Sequence, residues 1–409
     1  MGKKRSVSLR NARVVIIDNL AQARAQIKEV GASLAGIESM APKAIQYAIK
    51  LGRVSSPAAN ILKQEMLAIG GEAAIAKGVI GLKAKSSDVL LMGTLKEFDR
   101  LIEKLAAQPF GLNEIAQELK ELLGNLIQKG FWELKCGKYR FPLGRRTLIM
   151  GILNVTPDSF ADGGRYNDLN SAILHAKDMV SQGADIIDVG GESTRPGAKP
   201  VSLKEELRRV IPVITALLEE VDLPISIDTY RSEVAQKALD LGAHMVNDIS
   251  ALRMDPEMAS LVASYKVPLV LMHMQGRPRN MQRNPRYKCV VGEVLDFLRE
   301  RIRAAVDRGI DEANIIIDPG IGFGKLASHN LEIIRRLWEF KSLGRPILLG
   351  PSRKRVIGDV LGLPLEERLE GTAALVSCAI LNGANIVRVH DVKEMVRVAR
   401  MADAIKNAP

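Results

Sequence analysis

At 409 residues the chain has room for a barrel-sized core plus a second module, and its 47% hydrophobic and 26% charged residues are ordinary for a globular protein. No apolar run nears the roughly eighteen residues that a membrane span needs, so a soluble protein with no membrane partner is expected. The net charge of +11 admits an anionic partner, but aromatics are only 4% of the chain and the basic residues alternate with acids, which favours an anionic small molecule over nucleic acid.

Residues 1 to about 140 read as a smaller α+β domain. Residues 14–17 suit a strand, 20–30 and 42–51 suit helices, and Pro57 suits the first turn of a helix running to residue 69, closed by Gly70 and Gly71. A second strand is expected at 89–92, followed by amphipathic helices at 95–106 and 112–127. No phosphate loop, metal cluster or paired nucleophile and base is legible there, and the Lys and Glu pairs read as solvated helix faces. Cys136-Gly137, Pro142 and Gly144 among basic residues mark 135–146 as a linker, with the second domain expected over 145–409.

Beyond residue 145 the pattern becomes regular. Strand-like runs recur at 148–153, 184–189, 224–227, 245–246, 268–272, 315–317, 347–349 and 386–389. Helix-like stretches separate them at 171–182, 204–220, 232–241, 293–308, 329–340, 371–382 and 392–405. Eight βα repeats over about 260 residues are the pattern of a (β/α)8 TIM barrel, whereas a doubly wound sheet more typically has fewer strands. The fold class expected is therefore α/β: a TIM barrel preceded by a smaller α+β N-terminal domain.

Each strand then delivers polar residues to one end. Asn154 ends the first, and Gly191-Glu192-Ser193-Thr194-Arg195-Pro196-Gly197 follows the second. Asp228-Thr229 follows the third, Asn247-Asp248 the fourth and His273-Met274-Gln275-Gly276 the fifth. Asp318-Pro319-Gly320-Ile321-Gly322-Phe323-Gly324-Lys325 follows the sixth, Ser352-Arg353-Lys354 the seventh, and Arg388-Val389-His390-Asp391 closes the eighth. One such residue is readily an N-cap or a turn. Eight in succession describe the active-site face of a barrel.

Two chemistries are present in that set. Asp228, Asn247 and Asp318 offer carboxylate and carboxamide edges to a flat heterocycle with N–H and C=O groups. Arg195, Lys354, Arg388 and His390, with Asn154, offer cations and donors to phosphate or pyrophosphate. The implied ligand is a heterocycle joined to a diphosphate. Gly320 to Lys325 is not a P-loop, because Pro319 stands in place of the first glycine and Leu326 in place of Ser or Thr. His175, His244, His273, His329 and His390 show no zinc-hydrolase spacing, and Cys136, Cys289 and Cys378 form no pair, which fits a reducing cytoplasm.

The runs Asn154 to Phe160, Gly191 to Gly197, Asp318-Pro319-Gly320, Ser352-Arg353-Lys354 and Arg388 to Asp391 together resemble the motif set of the dihydropteroate synthase family. The resemblance spans about residues 145–405. It implies a transferase joining 7,8-dihydropterin-6-ylmethyl diphosphate to 4-aminobenzoate, with Mg2+ as cofactor and a homodimer as the assembly. It places the pterin against Asp228, Asn247, Asp318, Lys354 and Met272, and the diphosphate against Asn154, Arg195, Arg388 and His390, with the metal near Asn154. The 4-aminobenzoate would meet Phe160, Thr194, Pro196, Phe323 and Ser352, and catalysis would rest on Lys354, Arg388, His390 and Asp228. Ile321 stands where the family pattern leads one to expect a second aromatic, a departure that bears on the aminobenzoate pocket. A methyltetrahydrofolate-type methyltransferase or a non-catalytic pterin-binding protein are the alternatives; the first needs no diphosphate site.

Overall fold

The computed structural model describes residues 12–81, 83–128, 132–155, 165–193 and 200–408. The chain divides into two compact units, Met1–Gln128 and Lys129–Pro409.

The first unit is an α+β domain. Strands β1 (Gln46–Ser55), β2 (Glu72–Ile75) and β3 (Ser86–Thr94) form an antiparallel sheet in the order β1-β3-β2. Helices Leu20–Glu29, Leu34–Met40, Ser56–Ile69, Leu95–Leu105 and Leu112–Gln128 accompany it, and Leu62, Met66, Leu91, Phe98 and Leu101 are fully buried in its core. Thr94 caps the fourth of these helices. Its hydroxyl accepts from Glu97 N while Glu97 accepts from Thr94 N, so two otherwise orphaned amides are satisfied.

Two expectations fail in this unit. Residues 42–51 are not a helix; after one 3-10 turn at Ala41–Lys43 the chain enters β1. Ile45, Ile49 and Leu51 alternate with exposed residues, and that period of two matches a sheet with one buried face. Residues 14–17 form no strand, and Val14 and Ile16 remain exposed. An apolar run without a neighbouring ladder has no partner for its backbone groups.

The second unit opens with the hairpin of β4 (Trp132–Cys136) and β5 (Tyr139–Leu143), where a linker had been expected. Gly137 makes the tight turn at φ 57. Leu134, Cys136 and Leu143 are buried, so this segment is core material rather than a tether. The boundary between the units accordingly falls before the hairpin.

Eight parallel strands follow: β6 (Leu148–Asn154), β7 (Ile186–Gly190), β8 (Ile225–Asp228), β9 (Met245–Asp248), β10 (Leu269–Met272), β11 (Ile315–Asp318), β12 (Leu348–Leu349) and β13 (Ile386–Val389). Each pairs with its neighbour in the chain, β13 pairs with β6, and a parallel bridge between Ile317 and Ile347 joins β11 to the seventh strand. The ring is thus closed. All eight expected strands are present within one or two residues. The helix expected at 329–340 is broken at Arg336 into Ala327–Arg335 and a 3-10 segment at Leu337–Leu343, and helices at Met258–Tyr265 and Arg355–Leu361 were not foreseen.

The two-residue period of a strand sorts these side chains. Ile149, Leu153, Ile187, Val189, Ile225, Ile227, Leu269, Leu271, Ile315 and Ile317 pack outward into the layer shared with the helices. Met150, Ile186, Met245, Val270, Ile316, Leu348 and Ile386 instead cluster with Leu134, Cys136 and Leu143 of the hairpin. The hairpin therefore closes the N-terminal end of the barrel with apolar contacts. Two residues further along each strand, the same inward register carries Ile152, Asp188, Asp228, Asn247, Met272, Asp318 and Arg388.

Candidate active site

The polar layer lies where the strands end. Register fixes it: Asn154 is opposite Gly190, Gly190 opposite Asp228, Asp228 opposite Asn247, and Met272 opposite Asp318. A cavity of about 510 Å3, including its mouth, opens there, and Asp228, Asn247, Met272, Asp318, Phe323, Ser352, Lys354, Arg388 and His390 all line it. Nine of the residues expected at the site therefore share one wall. Asn154 is half-buried at the end of β6 in the same layer. Phe160, Thr194, Arg195 and Pro196 lie outside the described residues.

Arg388 is the hub of the floor. Its Nε donates to Asp188 Oδ2 at 2.6 Å and its Nη2 donates to Asp228 Oδ2 at 2.7 Å. Asn247 Nδ2 donates to the same Asp188 oxygen at 3.0 Å. Asp188 is fully buried, and its other oxygen, Oδ1, has no donor among the described residues. One guanidinium thus lies between two carboxylates. Burial pushes Asp228 up to about 7, against the pull of Arg388. Asp318 is pushed up to about 6 by burial, opposed by the Gly320 amide that donates to its Oδ1 at 2.7 Å.

At the other side of the mouth, burial and the cations Arg388 and Arg353 hold His390 down to about 3, so its ring is neutral near pH 7. Ser352 Oγ accepts from the His390 backbone amide at 3.2 Å and lies 3.0 Å from Nδ1. A neutral ring of either tautomer keeps one N–H, so His390 is a neutral donor rather than a cation. Arg353, beside it, is paired with Asp391. The Lys354 ammonium stands 4.4 Å from the centre of the Phe323 ring, a cation–π distance that ties the seventh loop to the sixth. Ile321 is fully buried and contributes to the pocket wall as an aliphatic group. A second aromatic there would supply a flat face; Ile321 supplies branched bulk instead.

Three features escaped sequence reasoning. Asp188 sits in the apolar run Ile186–Gly190, and a lone carboxylate in an otherwise buried strand was the available signal. Lys325 is buried with its Nζ 2.8 Å from His273 Nδ1, and burial pulls it down to about 7 while Asp318 opposes. Arg231 pairs with Glu192 and with buried Glu206, and it donates to the Val201 carbonyl at 2.7 Å. No spacing in the sequence marks that cluster, since its members come from two loops and a helix. Among the described residues there is no group of three or more His, Cys, Asp or Glu side chains able to hold a metal ion.

Comparison with known proteins follows this geometry. Residues 150–390 match the family of pterin binding enzymes. The chain is 52% identical over 273 residues to the dihydropteroate synthase of Synechocystis sp., covering 66% of this chain and 94% of that protein. It is 42% identical over 399 residues to the probable bifunctional folylpolyglutamate synthase/dihydropteroate synthase of Halobacterium salinarum, covering 95% of this chain and 46% of that one. The likeness to that protein therefore extends through the N-terminal unit. Among solved structures, Xanthomonas albilineans dihydropteroate synthase with 4-aminobenzoic acid aligns at a TM-score of 0.64 and 45% identity, covering 68% of this chain and 99% of that one. With an inward polar layer on a closed eight-stranded barrel, and with these similarities across the whole of it, the chain belongs to the dihydropteroate synthase family of pterin binding enzymes.

Proposed function

We infer that this chain joins 7,8-dihydropterin-6-ylmethyl diphosphate to 4-aminobenzoate, giving 7,8-dihydropteroate and pyrophosphate. The observation that carries this reading is the meeting, in one cavity, of a carboxylate and carboxamide floor (Asp228, Asn247, Asp318) with a donor cluster of Arg388, His390 and Ser352. The floor suits the N–H and C=O edges of a pterin, and its selectivity follows from the cost of leaving buried polar groups unpaired. The donor cluster suits the diphosphate. As the bond to the exocyclic carbon lengthens, charge accumulates on the leaving oxygen, and donors held in place at the pocket would stabilise it with little reorganisation. The electron-rich pterin supports positive character at that carbon, so the displacement is SN1-like with no covalent enzyme intermediate.

In this reading Lys354 bridges the two substrates, since it lies beside both Asp318 and the Phe323 ring. Phe323 and Ser352 face 4-aminobenzoate, with Phe160, Thr194 and Pro196 completing its site and Arg195 reaching the diphosphate. Mg2+ fits the donors only as a companion of the substrate. Asn154 offers a single neutral oxygen, and Mg2+ commonly keeps several waters and takes its remaining ligands from phosphates. When bound it would neutralise charge on the leaving diphosphate. The same reading takes the enzyme to be a cytoplasmic homodimer.

The test is pyrophosphate release by the full chain given the pterin diphosphate and Mg2+, with and without 4-aminobenzoate. Release that depends on 4-aminobenzoate supports the synthase. Pterin binding without turnover would refute it.

A further inference from the structure

Lys325 ends the glycine-rich sixth loop, and its side chain turns back beneath that loop, 3% exposed. Its Nζ lies 2.8 Å from His273 Nδ1, 2.9 Å from the Gly320 carbonyl, 3.1 Å from the Phe323 carbonyl and 3.4 Å from the His273 carbonyl. These four acceptors, none a carboxylate, enclose a cation with no role in the chemistry above. What it holds is adjacent to the pocket. Gly320 follows Asp318 by two residues, and a Cβ at Gly320 would fall 2.0 Å from the His273 carbonyl oxygen, so the loops after β10 and β11 touch at the point where Lys325 binds both. The outer side of the loop is tied separately, by Gly322 N to Asn330 Oδ1 at 2.8 Å and by Tyr287 Oη to the Gly324 carbonyl at 2.8 Å.

We propose that Lys325 is a positioning residue for the second substrate: its buried ammonium fixes the backbone of Phe323, and through it the ring that walls the 4-aminobenzoate side of the pocket. The proposal rests on the synthase reading. Without the ammonium, the carbonyls of Gly320 and Phe323 lose their inward donor and gain most by turning toward water, which carries the Phe323 ring off the pocket. Asp228, Asn247 and Asp318 stand in strand ladders, and only the Gly320 amide on Asp318 Oδ1 ties that floor to the loop, so the pterin side should feel the change far less.

The experiment is steady-state kinetics on Lys325→Met, which keeps most of the side chain's length and removes its donors. The KM for 4-aminobenzoate should rise about tenfold while that for the pterin diphosphate stays within about threefold. In a Phe323→Ala background the same change should alter the aminobenzoate KM less than about twofold, because the ring it positions is gone. Equal rises in both KM values, or full additivity with Phe323→Ala, would overturn the proposal. If Lys325→Met does not fold, Lys325→Gln retains an N–H donor group on a shorter arm and should show a smaller rise confined to 4-aminobenzoate; an unchanged value would again overturn it. An unsubstituted chain that releases no pyrophosphate in response to 4-aminobenzoate would overturn the synthase reading, and this proposal with it.

Discussion

Asp188→Asn probes the buried floor at the point where its charges are coupled. The substitution keeps the shape of the side chain and removes one negative charge from beneath Arg388 and Asn247. A hydrogen bond to a charged group contributes roughly 1.5–3 kcal/mol, and the amide retains an acceptor oxygen, so a loss of about 1–2 kcal/mol is expected, or roughly 5- to 30-fold in kcat/KM. A second signature has a definite sign. Asp188 is one of the charges that raise Asp228, so its neutralisation brings Asp228 down from about 7. On the proposed reading, pterin binding requires Asp228 ionised, to accept N–H donors. Binding by the unsubstituted chain should therefore weaken as pH falls through about 7, and in the variant that limb should lie about one pH unit lower. Isothermal titration with a pterin lacking the diphosphate, between about pH 5.5 and 8.5, reads the limb without the chemistry. An acid limb that stays in place or moves up would refute the electrostatic coupling of Asp188 to Asp228.

Three further outcomes are expected. Lys354→Ala should abolish pyrophosphate release while leaving circular dichroism and melting close to those of the parent, because the side chain faces the pocket rather than the core; unchanged turnover would remove it from the site. His390, held down to about 3 by burial and by Arg388, should show no change of its ring NMR shifts between about pH 5 and 8 in the ligand-free protein, and a titration near the ordinary histidine value of about 6.5 would contradict a neutral donor. Leu134→Ala in the hairpin should destabilise the second unit by about 2–4 kcal/mol, seen as a lower midpoint in urea, with kcat unchanged at low temperature. Loss of activity without loss of stability would mean that the hairpin reaches the site.

The barrel was legible because its signal is periodic and repeated. Four of the inner strands carry an apolar residue low down and a polar one two positions later, as in Ile186 and Asp188, Met245 and Asn247, Ile316 and Asp318, and Ile386 and Arg388, and such a step can be read off the chain without knowing which strands pair. The N-terminal sheet was only partly legible. Ile45, Ile49 and Leu51 carry a strand's alternation, but Pro42 and the helix formers around them suggested a helix, and the pairing with β3 that decides the matter is made some forty residues away. Hairpin β4-β5 was hidden differently, since its Gly, Pro and basic residues describe its turn and its exposed face while three buried side chains do the packing. Asp188 and Lys325 were missed for a common reason. Their partners, Arg388 and His273, are brought to them by ring closure and by loop contact, and neither proximity leaves a trace in spacing.

The plug of hairpin and methionines at the lower end of the barrel makes the catalytic chamber a room with one door. Among the described residues the lower end is filled by apolar side chains, so on the proposed reading a pterin seated on the Asp228 and Asn247 floor should enter before 4-aminobenzoate fills the space above it. Traffic outward should reverse that order: pyrophosphate and the new dihydropteroate would share the same exit, with the group bound deepest the last to go. Turnover in such a chamber should run as an ordered queue, with a dead-end complex expected whenever the upper guest arrives before the lower one.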